Sequence, residues 1–96
     1  MSDEKDNVIF VGKKAFMNYV SGVVMQFTTQ EADEIVVKAR GNNISRAVDV
    51  ALISSTKFLD NQIEVKDIQI DLEDLENKNQ KPVKVSTIEI TLVKKK

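Results

Sequence analysis

Two adjacent lysines, Lys13 and Lys14, directly follow Gly12 at the end of a predicted β-strand and precede the first predicted helix. Backbone N–H groups at the start of a helix, together with two ammonium groups, make a place where a phosphate can bind. An ordinary solvated loop uses the same residue types. The lysine pair therefore predicts either a phosphate-binding loop or a solvated one.

A second group of cationic and amide side chains surrounds the start of the second predicted helix. Lys38 and Arg40 share one face of a predicted strand, and Arg40 stands just before that helix. The planar guanidinium of arginine can bind a phosphate through two parallel hydrogen bonds. Asn42 and Asn43 are predicted to cap the helix, and Asn42 can alternatively hydrogen-bond a phosphate.

The absence of two residue types narrows the chemistry that is open to this chain. It has no cysteine, which excludes disulfides, thiolate metal sites and cysteine nucleophiles, and no histidine, the commonest general base and metal ligand. No apolar run approaches the ~20 residues that a membrane helix requires, and the polar N-terminus is not a signal peptide. These features predict a cytoplasmic protein that needs no cofactor.

The 96 residues predict one domain over residues 7–96, preceded by a flexible acidic tail at residues 1–6. Apolar residues make up 42 % of the chain, enough for one small core, which is expected to bury further surface against a partner subunit. The 14 Lys and Arg residues are balanced by 15 Asp and Glu residues, so the net charge is −1. Composition alone does not indicate a nucleic-acid binder, and the local placement of charge matters more than its sum.

The first half of the sequence predicts a strand, a helix and a second strand. Val8–Val11 is a continuous apolar run and predicts a strand buried on both faces. Helical spacing from Ala15 to Phe27 predicts a helix, in which Gly22 allows close backbone packing. The segment Glu34–Arg40 alternates as a strand does. Its predicted core face consists of Ile35, Val37 and Ala39.

The second half predicts a helix and a long hairpin. The helix carries one apolar stripe, formed by Ile44, Ala47, Val48, Ala51, Leu52 and Ser55. In both following strands the apolar parity slips, at Val65 to Ile68 and at Val85 to Ile88. Such a slip needs a bulge, a strong twist or a different packing partner at the far end of the strand. The predicted fold is α+β, a two-layer sandwich in the order β-α-β-α-β-β with a protruding β-hairpin.

Three parts of the sequence resemble the Alba family of archaeal chromatin proteins, from about residue 7 to the C-terminus. They are Val11–Lys14 with Met17–Val20, Val37–Gly41 with Ile44–Asp49, and Val85–Ile90. The resemblance implies a non-enzymatic dimer, either a homodimer or a heterodimer with a paralogue, that binds double-stranded DNA and often RNA. It further implies DNA condensation on the chromosome, with loops on the phosphate backbone and hairpin arms along the minor groove.

The resemblance also implies roles for individual residues. Nucleic-acid contact is expected from Lys13, Lys14, Lys38, Arg40, Asn42, Asn43, Arg46, Lys78, Lys81 and Lys84, the last three at the hairpin tip. Arg46 can alternatively pair with Asp49, three residues further along the helix. Phe58 either completes the core or mediates contact between dimers along DNA, and Tyr19 is expected in the core. Acetylation of Lys13 or Lys14 would remove a phosphate partner.

The chain departs from the family pattern by carrying less positive charge. Asn42 stands where many family members have a second basic residue, and the hairpin and N-terminal tail are acidic. Each lost phosphate contact lowers the salt slope of binding by about 0.9 and weakens sequence-independent affinity. We therefore expect weaker bulk DNA binding than that of basic family members, with relatively more discrimination by groove shape or sequence.

Three other functions compete with a DNA-binding architectural dimer. The closest is an RNA-binding protein, such as an RNA chaperone or a ribonucleoprotein subunit, because phosphate contacts look alike in both. A metal-dependent nuclease would have to use the acidic group Asp71, Glu73, Asp74 and Glu76, which has no rigid surrounding shell. A protein-interaction module without any nucleic-acid role is compatible with the acidic charge balance.

Overall fold

The computed structural model describes residues 7–76 and 78–95; the predicted tail at residues 1–6 lies outside the described residues, as do Asn77 and Lys96. The elements are β1 (Val8–Phe10), α1 (Phe16–Thr28), β2 (Glu34–Arg40), α2 (Ile44–Ile53), β3 (Ile63–Glu76) and β4 (Pro82–Lys94). A 3₁₀ turn, Gly41–Asn43, leads into α2, and a π-helical segment, Ser54–Phe58, extends it. This is the predicted order of strands and helices.

The four strands form one sheet in the order β1-β2-β4-β3. β1 runs parallel to β2 because α1 crosses between them, whereas β4 is antiparallel to both β2 and β3. Both helices pack on the same face, which leaves the other face, here called the open face, uncovered. The predicted two-layer α+β sandwich is confirmed. Within the described part of the chain, no helix is long and apolar enough to cross a membrane.

β2 supplies the centre of the core. Ile35, Val37 and Ala39 are buried beneath the helices, as their alternation predicts. Ile90 and Leu92 of β4 lie beside them in register and are equally buried. The intervening residues of β2 point to the open face, where they form the charged surface described below.

β1 is an edge strand with two different faces. Ile9 faces the helices, and its Cδ1 lies 3.3 Å from where a Cβ would stand at Gly22, in agreement with the close packing predicted at that glycine. Phe10 faces the other way and is 60 % exposed. The prediction that this strand is buried on both faces is therefore wrong, because the helices cover only one side of the sheet.

α2 is rotated relative to its predicted stripe. Its buried residues are Ala47, Val50 and Ala51, continued by Ser54, whereas Leu52 is 48 % exposed. The remaining predicted positions, Ile44, Val48 and Ser55, are half-buried. The sequence of this helix is apolar on almost every side, so the pattern leaves its rotation open. Small side chains, which let the helix approach the sheet closely, decide the orientation.

The entry into α2 differs from the predicted side-chain cap. Asn43 stands at the N-cap position with φ −92° and ψ 1°, outside the extended region that capping side chains favour, and makes no capping bond. The turn is instead closed by the backbone N–H of Ile44, which donates to the carbonyl of Gly41. Gly41 has a φ of +56°, a left-handed conformation that glycine adopts without strain.

The β3–β4 hairpin shows two causes for the slips in apolar parity. Between Val65 and Asp67 the pairing register shifts, which confirms a bulge in β3. Around Val85 to Ile88, β4 pairs with β3 without a shift, and the two ends of β4 pack on different faces instead. Ile88 is buried beneath the helices, whereas Val85 lies on the open face, with Cγ1 3.7 Å from where a Cβ would stand at Gly41.

Ser54 offers a test of the packing at the end of α2. Its side chain is fully buried, and its hydroxyl has no hydrogen-bond partner among the described residues. Ser54→Ala is expected to raise the free energy of unfolding by about 1 kcal/mol, since an unsatisfied buried hydroxyl is removed. Urea unfolding at one fixed protein concentration measures this change.

Ser55→Ala is the matched control for Ser54→Ala. The Ser55 hydroxyl donates to the carbonyl of Leu52 at 3.2 Å, so its removal should leave stability unchanged or slightly lower. A lower urea midpoint for Ser54→Ala at an unchanged slope would contradict the assignment of Ser54 as an unsatisfied group.

Candidate nucleic-acid interface

The parallel pairing of β1 and β2 brings two loops to one edge of the sheet. The carboxyl ends of parallel strands meet at the same edge, and ligand crevices in open sheets commonly lie there. The loop after β1 carries Lys13 and Lys14, and the turn after β2 carries Asn42 and Asn43. Both α1 and α2 begin at this edge, so the positive ends of two helix dipoles also point towards it.

Between these loops lies a cleft of about 570 Å³, here called the basic cleft. Its lining includes Phe10, Gly12, Lys13, Lys14, Tyr19, Arg40 and Asn43. Four of the predicted contact residues thus come together in one depression. Both lysines and the arginine are exposed, so their charged groups are accessible to a phosphate chain.

The lysine loop is held in place by two side chains from the helices. The backbone N–H of Lys14 donates to the Tyr19 hydroxyl at 3.0 Å. Nε of Arg46 donates to the carbonyl of Gly12 at 3.1 Å, and a terminal guanidinium nitrogen donates to the carbonyl of Lys14. Tyr19 and Arg46 therefore position the backbone of the loop from which the two lysine side chains project, a role that sequence reasoning missed for both residues.

These contacts change two expectations about the loop. The backbone N–H of Lys14, which was expected to receive a phosphate, already has the Tyr19 hydroxyl as its acceptor. Two guanidinium nitrogens of Arg46 donate hydrogen bonds to the loop. The alternative pair of Arg46 with Asp49 is not among the ion pairs of the described residues. Contact between Arg46 and nucleic acid stays a prediction. No helix-periodicity signal could have shown that a residue of α2 reaches the loop after β1.

Carboxylates of the hairpin strands pair with three of the predicted cationic contacts. Lys38 Nζ lies 3.5 Å from Glu89, and Arg40 Nε lies 3.6 Å from Glu73. Further along the hairpin, Lys84 pairs with Asp74 at 2.7 Å. Exposed pairs of this kind contribute about 0–1 kcal/mol each. They are weak enough for a phosphate to displace, but each displacement subtracts from the binding free energy.

The hairpin tip is a separate basic region. Lys78, Lys81 and Lys84 are exposed there and do not line the basic cleft. Asn42 is exposed in the 3₁₀ turn beside the cleft and is likewise not among its lining residues. Within the described residues no three acidic, Cys or His side chains come together as a metal site.

Among the described residues, two apolar surfaces are left uncovered on the helix side of the sheet. One is a row along β3, here called the β3 stripe, formed by Val65, Ile68, Ile70 and Leu72. These residues face the same side as the buried core residues of β4, but the helices do not extend over them. The other is a groove of about 250 Å³ in which Phe58, 49 % exposed, lies beside Met17 and Met25 of α1.

Comparison with known proteins gives consistent matches. A model of the Alba family matches residues 7–72. "DNA/RNA-binding protein Alba" from Nanoarchaeum equitans is 56 % identical over 91 % of this chain and 97 % of its own length. The protein of the same name from Methanococcus maripaludis is 43 % identical over 93 % of this chain and 99 % of its own length.

Solved structures give the same result for the fold. Alba from Thermoplasma volcanium superimposes with a TM-score of 0.83 at 48 % identity, over 91 % of this chain and 99 % of that one. ALBA1 from Trypanosoma brucei shares the fold with a TM-score of 0.70 at 23 % identity, over 96 % of this chain and 72 % of that one. The family match over most of the chain, together with relatives of this identity and coverage, shows that the protein belongs to the Alba family.

Proposed function

We propose that this protein binds double-stranded DNA through the phosphate backbone at the basic cleft. The observation that carries the proposal is the convergence of Lys13, Lys14 and Arg40 around one cleft, at an edge where two helices begin. Such an arrangement suits a chain of phosphates better than a compact ligand, because the charges are spread and exposed. The relatives' names describe DNA/RNA binding rather than a reaction, in agreement with a non-enzymatic role.

The working unit that we propose is a dimer formed over the β3 stripe. A second copy of this chain, or of a paralogue, would cover the apolar side chains that the helices leave exposed, of which Ile70 is 78 % exposed. The dimer presents two basic clefts to the backbone and two hairpins to the minor groove. Lys78, Lys81 and Lys84 at the hairpin tip would make the minor-groove contacts.

Contact between dimers is proposed for Phe58. A phenylalanine that is half exposed beside two methionines offers an apolar surface on the helix layer, apart from the basic cleft. Pairing of such surfaces on neighbouring dimers would condense DNA, in keeping with a protein associated with the chromosome.

Acetylation of Lys13 or Lys14 would weaken backbone binding by removing one charge from the cleft.

Binding to RNA is the alternative function, and the relatives' printed names include both polymers. Backbone contacts from the cleft do not discriminate between them, whereas minor-groove contacts depend on groove width. Fluorescence anisotropy with equal-length duplex DNA, duplex RNA and single-stranded RNA across a salt series tests the proposal. Tightest binding to duplex DNA with a clear negative salt slope supports it, and preference for RNA favours the alternative.

Lys14→Gln and Tyr19→Phe separate a phosphate contact from its positioning. Lys14→Gln, which also mimics acetylation, is expected to reduce the slope of log affinity against log salt by about 0.9. Tyr19→Phe removes only the hydroxyl that accepts the Lys14 N–H bond. It should lower duplex affinity by about three-fold at an unchanged salt slope, because no charge is lost. Equal slope changes in both variants would contradict this division of roles.

Glu73→Gln tests the competition between hairpin carboxylates and DNA. Removing the charge that pairs with Arg40 should raise duplex affinity by about three-fold at low salt, since the arginine no longer has to leave a partner. Glu64→Gln makes the same change near the other end of β3, away from Arg40. An equal gain in duplex affinity in both variants would show that affinity depends only on the net charge of the protein.

Ile70→Asp tests the β3 stripe as the dimer interface. A carboxylate in the middle of an apolar interface would be buried without a partner, so the variant should sediment as a monomer at concentrations where the parent is a dimer. Phe58→Ala should leave the dimer intact and reduce cooperative binding to long duplexes. An Ile70→Asp variant that remains dimeric would place the interface elsewhere.

A further inference from the structure

Phe10 is the one aromatic side chain on the open face of the described sheet, and it stands where two depressions meet. It lines the basic cleft together with Lys13 and Lys14. It also lines a smaller depression on the open face, where Lys38 and Arg40 lie. The two depressions together hold four cationic side chains beside an aromatic ring that is 60 % exposed, and also Glu73 and Glu89, which pair with two of those cations.

The surroundings of Phe10 suit a nucleotide better than an apolar partner. Lys38 Nζ lies 5.8 Å from the ring centroid, within the range of a cation–π contact, and this one ammonium leaves most of the ring exposed. An apolar partner would have to cover these charges and desolvate them at considerable cost. A nucleotide carries both parts that the site offers to bind, a flat π-face and an anionic phosphate.

We propose that Phe10 is a stacking platform for an unpaired nucleobase, whose flanking phosphates are bound by the cationic side chains of the basic cleft. The inference rests on the proposed function, because it uses the same cleft for the phosphates. It adds a subsite for single-stranded segments, which a fully paired duplex leaves empty because its bases are stacked on one another. The cleft thus binds two kinds of nucleic acid. It contacts paired strands through their phosphate backbone alone, and unpaired strands through both the backbone and a base.

The sheet topology makes this subsite possible. Phe10 pairs in register with Lys38 on the neighbouring strand, so both side chains project from the open face. Only two residues separate Phe10 from Lys13, and Tyr19 and Arg46 hold the loop that begins there. The backbone therefore fixes the positions from which the ring and the two lysine side chains project, so an ammonium group can reach a phosphate next to a stacked base.

The binding test compares Phe10→Leu with Phe10→Tyr. Single-stranded DNA and RNA 12-mers and the corresponding duplexes serve as probes in fluorescence anisotropy. Phe10→Leu, which keeps an apolar side chain, is expected to weaken single-strand binding about ten-fold and to change duplex binding by less than about two-fold. Phe10→Tyr, which keeps the aromatic ring, should restore single-strand binding.

A spectroscopic test detects the stacking itself. The chain has no tryptophan, so Phe10→Trp introduces a single indole at the subsite. Its fluorescence should be quenched by a single-stranded 12-mer and much less by an abasic 12-mer of equal charge. Gln30→Trp is the control, because residue 30 follows the far end of α1, about 20 Å from the cleft by the rise of a 13-residue helix.

The outcomes separate this inference from the proposed function. The stacking platform is overturned if Phe10→Leu binds single strands as tightly as the parent. It is also overturned if the variant loses duplex and single-strand affinity by the same factor. In either case the parent's binding of duplex DNA, and with it the proposed function, still stands. Equal quenching of Phe10→Trp by the abasic and the normal strand overturns the stacking platform as well. If the parent binds no polynucleotide at low salt, the proposed function fails and the subsite fails with it. The parent can also bind RNA 12-mers more tightly than DNA 12-mers. If Phe10→Leu then weakens the binding of both, the result supports the platform and identifies RNA as its preferred source of unpaired bases.

Discussion

Two helices cover one face of a four-stranded sheet, and most of the surface chemistry follows from this one-sided cover. The hydrophobic effect fixes which residues of β2 and β4 lie beneath the helices, and the alternation of a strand then sends every intervening side chain to the opposite face. Lys38 and Glu89 meet there for that reason. The same cover is too narrow for β3, so its inward-facing apolar side chains remain exposed.

Parallel pairing of β1 and β2 explains why the basic cleft exists. A crossover helix returns the chain so that both strands end at one edge, and the loops that follow them are neighbours in space although 27 residues separate Gly12 from Arg40. Arg46 of α2 links the helix that follows the second loop to the backbone of the loop after β1. A near-neutral chain thereby concentrates positive charge in one place.

Sequence patterns predicted the fold where one physical effect dominates. The alternation in β2 permits one buried face, and the structure has that face. The slip in β3 left a bulge, a strong twist or a different packing partner open, and the structure contains the bulge. The rotation of α2 and the exposure of Phe10 could not be predicted, because both depend on which surface the neighbouring elements cover. For the site, residue types and spacing indicated the cationic contacts, but the positioning roles of Tyr19 and Arg46 arise from contacts 5 and 32 to 34 residues away in sequence.

The long edge strand of the sheet has a consequence for self-association. β3 offers 14 residues of backbone along an outer edge, and such an edge is a template for adding strands without limit. Six of those residues are Asp or Glu and only one is Lys. Two β3 edges brought side by side would place carboxylates against carboxylates, while the bulge twists the edge away from a flat partner. The acidic residues of β3, which help to give the chain its net charge of −1, thus oppose fibre formation at high protein concentration.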